Sequence, residues 1–174
     1  MVTVLRLGHR RGRDDRISTH VGLTARQLGA DKIIFSGESD SNMMESIEDL
    51  TARWGGFFEV EYREDFRRII KDFEGVTVHL TMYGLPFKEV ASEINGEKPD
   101  KDVLVVVGSQ KVPREVYSLV DYNVGVGNQP HSEVTALGLF LYELNNGKIP
   151  EEFEGAQVKV VPSEEDKLTE KVGE

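Results

Sequence analysis

The chain of 174 residues contains no cysteine. This absence excludes disulfide bonds, thiolate metal ligands and a cysteine nucleophile. Long apolar runs are missing too: no segment approaches the roughly 20 apolar residues that cross a membrane, and no apolar stretch follows a basic start as in a secretory signal. We therefore expect a cytoplasmic protein that does not insert into a membrane.

Several short functional signatures are also absent. The sequence has neither the GxxxxGK[ST] spacing of a Walker loop nor a GxGxxG fingerprint, which argues against a phosphate-handling α/β enzyme. It also lacks HExxH and paired histidines at ligand spacing, so we expect no metal site.

Positive charge is scarce and unevenly placed. The net charge is −10, yet residues 1–30 carry +4, which leaves −14 on the remainder of the chain. The basic residues of this first segment are all arginines, and arginine forms bidentate contacts with phosphate. A basic patch on an acidic body favours a nucleic-acid partner. The alternative is a solvated loop with internal Arg–Asp pairs.

Apolar runs alternate with amphipathic stretches along most of the chain. This pattern predicts an α/β fold with a parallel sheet covered on both faces. We expect one domain over residues 1–162 and an acidic, frayed tail over residues 163–174. The predicted strands are Val2–Leu7, Lys32–Phe35, Phe57–Glu61, Val76–Leu80, Val103–Val107, Tyr122–Val126 and Gln157–Val161. The predicted helices are Thr19–Leu28, Asp40–Trp54, Asp65–Asp72, Pro86–Ile94, Pro113–Leu119 and Ser132–Leu144.

Two glycine-centred segments follow neighbouring predicted strands. Gly108-Ser109-Gln110-Lys111 follows the first, and Gly125 to Glu133 joins the second to a helix. In open α/β sheets, ligands bind beyond the carboxyl ends of the strands, so these segments predict one shared pocket. We expect Gly127 to leave space for the ligand. The alternatives are an ordinary tight turn for the first segment and an elaborate helix cap for the second. His79 lies inside a strand and is interpreted as a core histidine.

The predicted helix after the second segment is apolar nearly all round, since it carries Val134, Leu137, Leu139, Phe140 and Leu141. One side of it can pack on its own sheet, and the rest needs another partner. This pattern predicts a symmetric homodimer; the alternative is a helix buried within one subunit.

Three motifs carry a resemblance to a known family. They are Arg16-x-x-Thr19-His20-Val21-Gly22-Leu23-Thr24-Ala25-Arg26-x-Leu28-Gly29-Ala30, then Val107 to Pro113, then Val126-Gly127-Asn128-Gln129-Pro130-His131-Ser132-Glu133-Val134. Together they resemble the SPOUT class of RNA methyltransferases, and more closely the archaeal tRNA cytidine-56 2′-O-methyltransferase family. The resemblance covers nearly the whole chain, and the GNQPHSEV string is its most specific part.

The resemblance implies a SPOUT fold with a C-terminal trefoil knot, a homodimer and S-adenosylmethionine as cofactor. The implied reaction is 2′-O-methylation of the ribose of cytidine 56 in tRNA. The implied cofactor-binding residues are Leu80, Gly108, Ser109, Gln110, Lys111, Val112, Val126, Gly127, Asn128, Gln129, Pro130, His131, Ser132 and Glu133.

The sequence departs from the broader 2′-O-methyltransferase pattern at two positions. Leu23 stands where that pattern has an arginine, and Glu133 stands where it has asparagine. The candidates for the catalytic role are Arg16 first and His20 second, with Arg26 nearby. We expect Arg10, Arg11, Arg13 and Arg26 to contact RNA.

Two other functions stay open at this point. A tRNA base methyltransferase of the same class would use an aspartate base, for which Asp102 and Asp121 are available. A non-catalytic module would bind RNA or an adenosyl ligand without turnover.

Overall fold

The computed structural model describes residues 1–97, 100–109 and 111–172. Strands and helices alternate along most of the chain. In order they are β1 (Val2–His9), α1 (Asp15–Gln27), β2 (Lys32–Gly37), α2 (Ser41–Trp54), β3 (Glu59–Tyr62), α3 (Phe66–Lys71), β4 (Val76–Pro86), α4 (Phe87–Glu97), β5 (Val103–Gly108), α5 (Val116–Leu119), β6 (Tyr122–Gly125), α6 (Glu133–Leu144), β7 (Val158–Val161) and β8 (Leu168–Lys171).

The first six strands form one parallel sheet in the order β3-β2-β1-β5-β4-β6. Side chains on successive strand residues point to opposite faces of the sheet, so each central strand contributes side chains to the hydrophobic cores on both faces. Val4 packs with α1, α2, α4 and α6 on one face. Leu5 packs on the other face, where α3 and α5 lie. The predicted α/β fold with a covered parallel sheet is confirmed; the trefoil knot stays a prediction.

Helix α1 begins at Asp15, four residues earlier than predicted. Thr19 does not cap it, because its hydroxyl donates to the backbone oxygen of Asp15 inside the helix. An acidic residue in the first turn is favourable at the positive end of the helix dipole. Charged residues that suggested a loop therefore form the first turn of α1.

The largest differences between the predicted and observed strands lie in β4 and near the C-terminus. β4 continues to Pro86 instead of ending at Leu80, and Leu80 and Leu85 both pair with Val124. The intervening residues 81–84 bulge out of the sheet. Near the C-terminus, Leu168–Lys171 forms β8, which pairs antiparallel with β7. The expected fraying of the tail is wrong for these four residues. Within the described ranges, no helix has the length and apolar character needed to cross a bilayer.

Candidate active site

A cavity of about 640 Å³ lies at the carboxyl ends of β4 and β5. Its volume falls within the roughly 300–1,000 Å³ typical of small-molecule sites. Parallel strands bring their carboxyl ends to one edge, and here both predicted glycine segments contribute to the wall. The lining residues are His79, Leu80, Thr81, Met82, Tyr83, Val107, Gly108, Ser109, Lys111, Val112, Arg114, Tyr117, Pro130, His131, Glu133 and Ala136.

The cavity includes most, but not all, of the residues predicted to bind a cofactor. Those that line it are Leu80, Gly108, Ser109, Lys111, Val112, Pro130, His131 and Glu133. Val126, Gly127, Asn128, Gln129 and Ser132 lie outside its wall, and Gln110 lies outside the described residues. Ser132 instead caps α6 by accepting a hydrogen bond from the backbone of Val134.

Gly127 lies in open space, since a Cβ atom placed there meets no heavy atom of the described chain within 4 Å. Its role in leaving room for a ligand stays a prediction. Its φ angle of 78° also favours glycine, because L-residues rarely adopt positive φ. The glycine shapes the turn that leads to the cavity.

Asn128 holds the bulge between Leu80 and Leu85. Its side-chain amide donates to the backbone oxygen of Met82 at 2.8 Å and to that of Gly84 at 3.0 Å. A primary amide has two N–H donors, so both of its donors are engaged here. Asn128 therefore acts on the cavity through the 81–84 backbone, and its role as a direct cofactor ligand stays a prediction.

His79 is a wall residue as well as a core histidine. Its Nδ1 lies 2.9 Å from Oδ1 of Asn123, whose amide nitrogen donates to the backbone oxygen of Tyr117. Oδ1 can only accept, so Nδ1 carries the proton. Burial lowers the pKa of His79, although the bond to Asn123 opposes the shift. Nε2 is then a buried acceptor with no hydrogen-bond partner among the described residues.

A partly buried ion pair connects β1 to the cavity. Arg6 is fully buried, and its Nη2 donates to Oε1 of Glu133 at 2.9 Å. Within the described chain, Nε and Nη1 of Arg6 have no partner. Burial lowers the pKa of Arg6, and the Glu133 and Asp14 carboxylates oppose the shift. The Arg6 guanidinium nevertheless stays charged. Among the described residues, Glu133 is the only one whose carboxylate lines the cavity.

Sequence reasoning missed Arg6. Its signal is a lone arginine within the apolar run from Val2 to Leu7. A charge in a central strand is expensive unless it is paired, so such a residue predicts a buried partner.

The two predicted catalytic residues lie away from the cavity. Arg16 and His20 are exposed on α1, and neither lines the cavity of its own subunit. Arg16 borders a separate cleft with Arg11, Asp15 and Asp40.

The predicted RNA-binding arginines differ in their availability. Arg11 and Arg13 have exposed side chains. Arg10 forms two 2.8 Å bonds with the Asp14 carboxylate, which hold the pKa of Asp14 below its usual value. Arg26 is buried, donates to the backbone oxygen of Gly55 and lies over the Phe153 ring at 4.4 Å. Arg26 is therefore not available to a phosphate, which corrects the prediction that it contacts RNA.

The two aspartates considered for base methylation have structural partners. Asp121 accepts from the backbone and hydroxyl of Thr77, and Asp102 pairs with the amino group of Met1. Neither lines the cavity.

Residues 54–170 match the family model described as tRNA ribose 2′-O-methyltransferase, aTrm56. The chain is 54% identical to the tRNA (cytidine(56)-2′-O)-methyltransferase of Methanocaldococcus jannaschii, over 97% of this chain and 95% of that protein. It is 53% identical to the enzyme of the same name from Pyrococcus horikoshii, over 93% of this chain and 81% of that protein.

Solved structures show a similar fold at low sequence identity. One is an RNA 2′-O ribose methyltransferase, with a TM-score of 0.63 and 14% identity over 83% of this chain and 55% of that chain. Another is the SpoU methyltransferase AviRb from Streptomyces viridochromogenes in complex with AdoMet, with a TM-score of 0.58 and 13% identity over 84% of this chain and 57% of that chain. These likenesses concern the fold alone.

Proposed function

We propose that this chain, which belongs to the aTrm56 family of tRNA ribose 2′-O-methyltransferases, methylates the ribose 2′-oxygen of cytidine 56 in tRNA with S-adenosylmethionine. One observation carries the proposal: both glycine segments wall a single cavity at the strand ends, and both lie inside the matched residues 54–170. The cavity is lined by the Glu133 carboxylate and by the cations of Lys111 and Arg114, which suits a cofactor that carries both signs of charge, and the exposed arginines outside it suit a polyanionic substrate.

The cavity fits S-adenosylmethionine in size and in its polar groups. The buried Nε2 of His79 is an acceptor without a partner in the described chain, and it suits an N–H donor of a ligand. Glu133 offers negative charge toward a cationic ligand, while apolar side chains such as Leu80 and Val112 complete the wall. When bound, the cofactor supplies a methyl group already activated on a sulfonium.

The chain must orient the ribose hydroxyl and accept its proton. We assign proton acceptance to Glu133, because its Oε1 is fixed by Arg6 and its Oε2 takes no hydrogen bond from the described residues. Arg6 acts as a positioning residue, since it holds the carboxylate from below the cavity. The catalytic role of Arg16 or His20 stays a prediction, since both side chains are exposed on α1 outside the cavity of their own subunit.

We propose a homodimer through α6. Leu137, Phe140 and Leu141 are buried within the subunit, so part of the apolar helix needs no second partner. Leu139 and Tyr142 remain 43% and 41% exposed on the same helix. Light scattering at micromolar concentration tests the assembly; a monomer there contradicts it.

The direct test uses labelled S-adenosylmethionine and unmodified tRNA. We expect label in one nuclease-resistant 2′-O-methylated dinucleotide that contains cytidine 56. A tRNA carrying 2′-deoxycytidine at that position is the matched control and accepts no label. Label in a base would instead indicate a base methyltransferase, and cofactor binding without transfer would indicate a binding module.

The loop of residues 10–14, called the arginine loop below, predicts a contrast in the salt dependence of tRNA binding. We expect the slope of log affinity against log salt, which is negative, to decrease in magnitude by about one in Arg11→Ala and in Arg13→Ala, because each substitution removes a phosphate contact. Arg10→Ala serves as the control, because Asp14 holds the Arg10 guanidinium. In contrast to the prediction from sequence that Arg10 contacts RNA, we expect an unchanged slope and a lower melting temperature, since Asp14 loses its partner. Wild-type slopes for both Arg11→Ala and Arg13→Ala would contradict the proposed phosphate contacts.

If Arg16 aids proton transfer, Arg16→Ala lowers the single-turnover rate at saturating tRNA by about a hundredfold.

Asn128 predicts a second contrast, in cofactor affinity. Asn128→Gly removes both bonds to the 81–84 bulge but tolerates the φ angle of 28°. We expect about tenfold weaker binding of S-adenosylhomocysteine by calorimetry, the size expected for one or two lost hydrogen bonds. Asn128→Ala adds backbone strain and therefore also lowers the melting temperature further. Wild-type affinity for S-adenosylhomocysteine in a folded Asn128→Gly protein would show that the two hydrogen bonds from Asn128 to the bulge do not contribute to cofactor binding.

A further inference from the structure

His9, Asp15 and Asp40 come together from three separate elements, outside the cavity described above. His9 ends β1, Asp15 begins α1, and Asp40 precedes α2. Nε2 of His9 lies 3.5 Å from Oδ2 of Asp40 and 3.9 Å from Oδ1 of Asp15. One ligand atom from each residue lies within 4.8 Å of the other two.

These distances do not describe an ordinary ion pair. A charge-assisted bond between a protonated histidine and a carboxylate is about 2.7–2.9 Å long. Nε2 is fully buried and has no hydrogen-bond partner among the described residues. Donor atoms around a tetrahedral Zn²⁺ lie about 3.3 Å apart, because each bond is about 2.0–2.1 Å long. The separations here, 3.5 and 3.9 Å from Nε2, are a few tenths of an ångström longer, so the three atoms must move slightly closer together around a small cation.

The surrounding contacts orient the three groups. Nδ1 of His9 lies 2.8 Å from the Ser18 hydroxyl, as the second nitrogen of a metal-bound histidine usually has a fixed partner. Oδ1 of Asp40 accepts from the backbone of Met43 at 3.1 Å, which leaves Oδ2 to face His9. Oδ1 of Asp15 also accepts from the backbone of Gly12 at 2.7 Å. One imidazole and two carboxylates suit a divalent first-row metal such as Zn²⁺ or Mn²⁺ better than Mg²⁺.

We propose that His9, Asp15 and Asp40 bind one divalent transition-metal ion. His9 and Asp15 flank the arginine loop, so the ion holds both ends of the segment that carries Arg11 and Arg13. Asp15 and Asp40 border the same cleft as Arg11 and Arg16, and the ion adds positive charge there. Metal binding rests on the geometry alone, whereas its effect on tRNA rests on the proposed function. The expectation of no metal site came from sequence spacing, which does not detect ligands from three distant elements.

The test uses the full chain, first treated with EDTA and then titrated with Zn²⁺ by calorimetry. We expect one site per chain, and a melting temperature raised by roughly 5–10 °C at a hundredfold excess over Kd. Asp40→Asn keeps the oxygen that accepts from Met43 but removes the charge, and we expect at least tenfold weaker Zn²⁺ binding. His9→Gln should lose the site. His20→Ala is the control, because it removes an exposed histidine from the same region and leaves Zn²⁺ binding unchanged.

Two outcomes decide against the site: no saturable Zn²⁺ binding, or equal affinity in wild type and in a folded Asp40→Asn protein. Unchanged S-adenosylhomocysteine affinity checks that the variant is folded. A second arm measures tRNA binding with and without Zn²⁺, and we expect severalfold tighter binding for wild type only. If Zn²⁺ binds at these residues and tRNA affinity does not change, the metal site stands and its role in ordering the arginine loop is wrong.

Discussion

Replacing Glu133 with alanine is expected to destabilise the folded chain by about 3–5 kcal/mol, the usual cost of leaving a buried charge without its partner. Arg6 is fully buried, and its one hydrogen bond within the described chain goes to Glu133. Arginine cannot lose its proton to escape the cost. Urea denaturation of wild type and Glu133→Ala measures the difference.

The exposed pair Arg67–Glu115 provides a matched control. Its side chains are 53% and 40% exposed, so solvent replaces the partner when one residue is removed. Glu115→Ala should therefore leave the free energy of unfolding nearly unchanged. Equal stability losses for Glu133→Ala and Glu115→Ala would mean that Arg6 is not the source of the effect.

The double variant Arg6→Met/Glu133→Gln separates stability from catalysis. Removing both charges together takes away the unpaired buried guanidinium, and an apolar replacement of a buried ion pair is often neutral or stabilising. We expect its stability to return close to that of wild type. Its single-turnover rate should stay at least a hundredfold lower, because no carboxylate accepts the proton of the ribose hydroxyl. A stable double variant with the wild-type rate would show that Glu133 neutralises the charge of Arg6 and does not accept the proton of the ribose hydroxyl.

The sequence predicted the place of the site because local signals and fold rules agree there. Apolar runs that end in Gly108 and Gly125 mark strands, and parallel strands share one carboxyl edge. The same logic located α2 and α6, whose caps Asp40 and Ser132 have the expected side-chain bonds. For these parts, the chain's local preferences and its tertiary structure point to the same answer.

The roles of individual side chains were less accessible, because they depend on contacts between residues far apart in sequence. Arg6 and Glu133 are 127 positions apart, and Asn128 lies 44 from Gly84. No periodicity encodes such pairs. Polar residues in a glycine loop suggested direct ligand contacts, yet Asn128 satisfies backbone oxygens of its own chain. Arginine is usually exposed, and Arg26 was therefore expected at the surface, but its guanidinium is buried over the Phe153 ring.

Gly84→Ala is expected to have the second large effect, because the bulge at residues 81–84 has no room for a side chain. A Cβ atom at Gly84 would lie closer than 3.0 Å to the backbone nitrogen and carbon of Val124, a separation that real Cβ atoms essentially never show. Those atoms belong to β6, which pairs with β4 on both sides of the bulge. Backbone held in this way cannot move cheaply, so we expect a loss of about 3 kcal/mol or more.

The same substitution should abolish cofactor binding at micromolar concentration. Thr81, Met82 and Tyr83 line the cavity, so a displaced bulge changes the wall directly. Calorimetry with S-adenosylhomocysteine, carried out below the melting temperature of the variant, measures this loss. Full wild-type affinity in a folded Gly84→Ala protein would mean that the bulge does not shape the site.

Two other glycines separate a steric clash from the general effects of replacing glycine. Gly96 lies in α4, and a Cβ atom placed on it meets nothing within 4 Å, so Gly96→Ala should stabilise the chain by about 0.5–1 kcal/mol through helix propensity. Gly127 has equal space but a φ angle of 78°, so Gly127→Ala costs about 1–2 kcal/mol of backbone strain without any clash. If Gly84→Ala costs no more than Gly127→Ala, strain accounts for both, and close contact between the bulge and β6 is not what excludes a side chain.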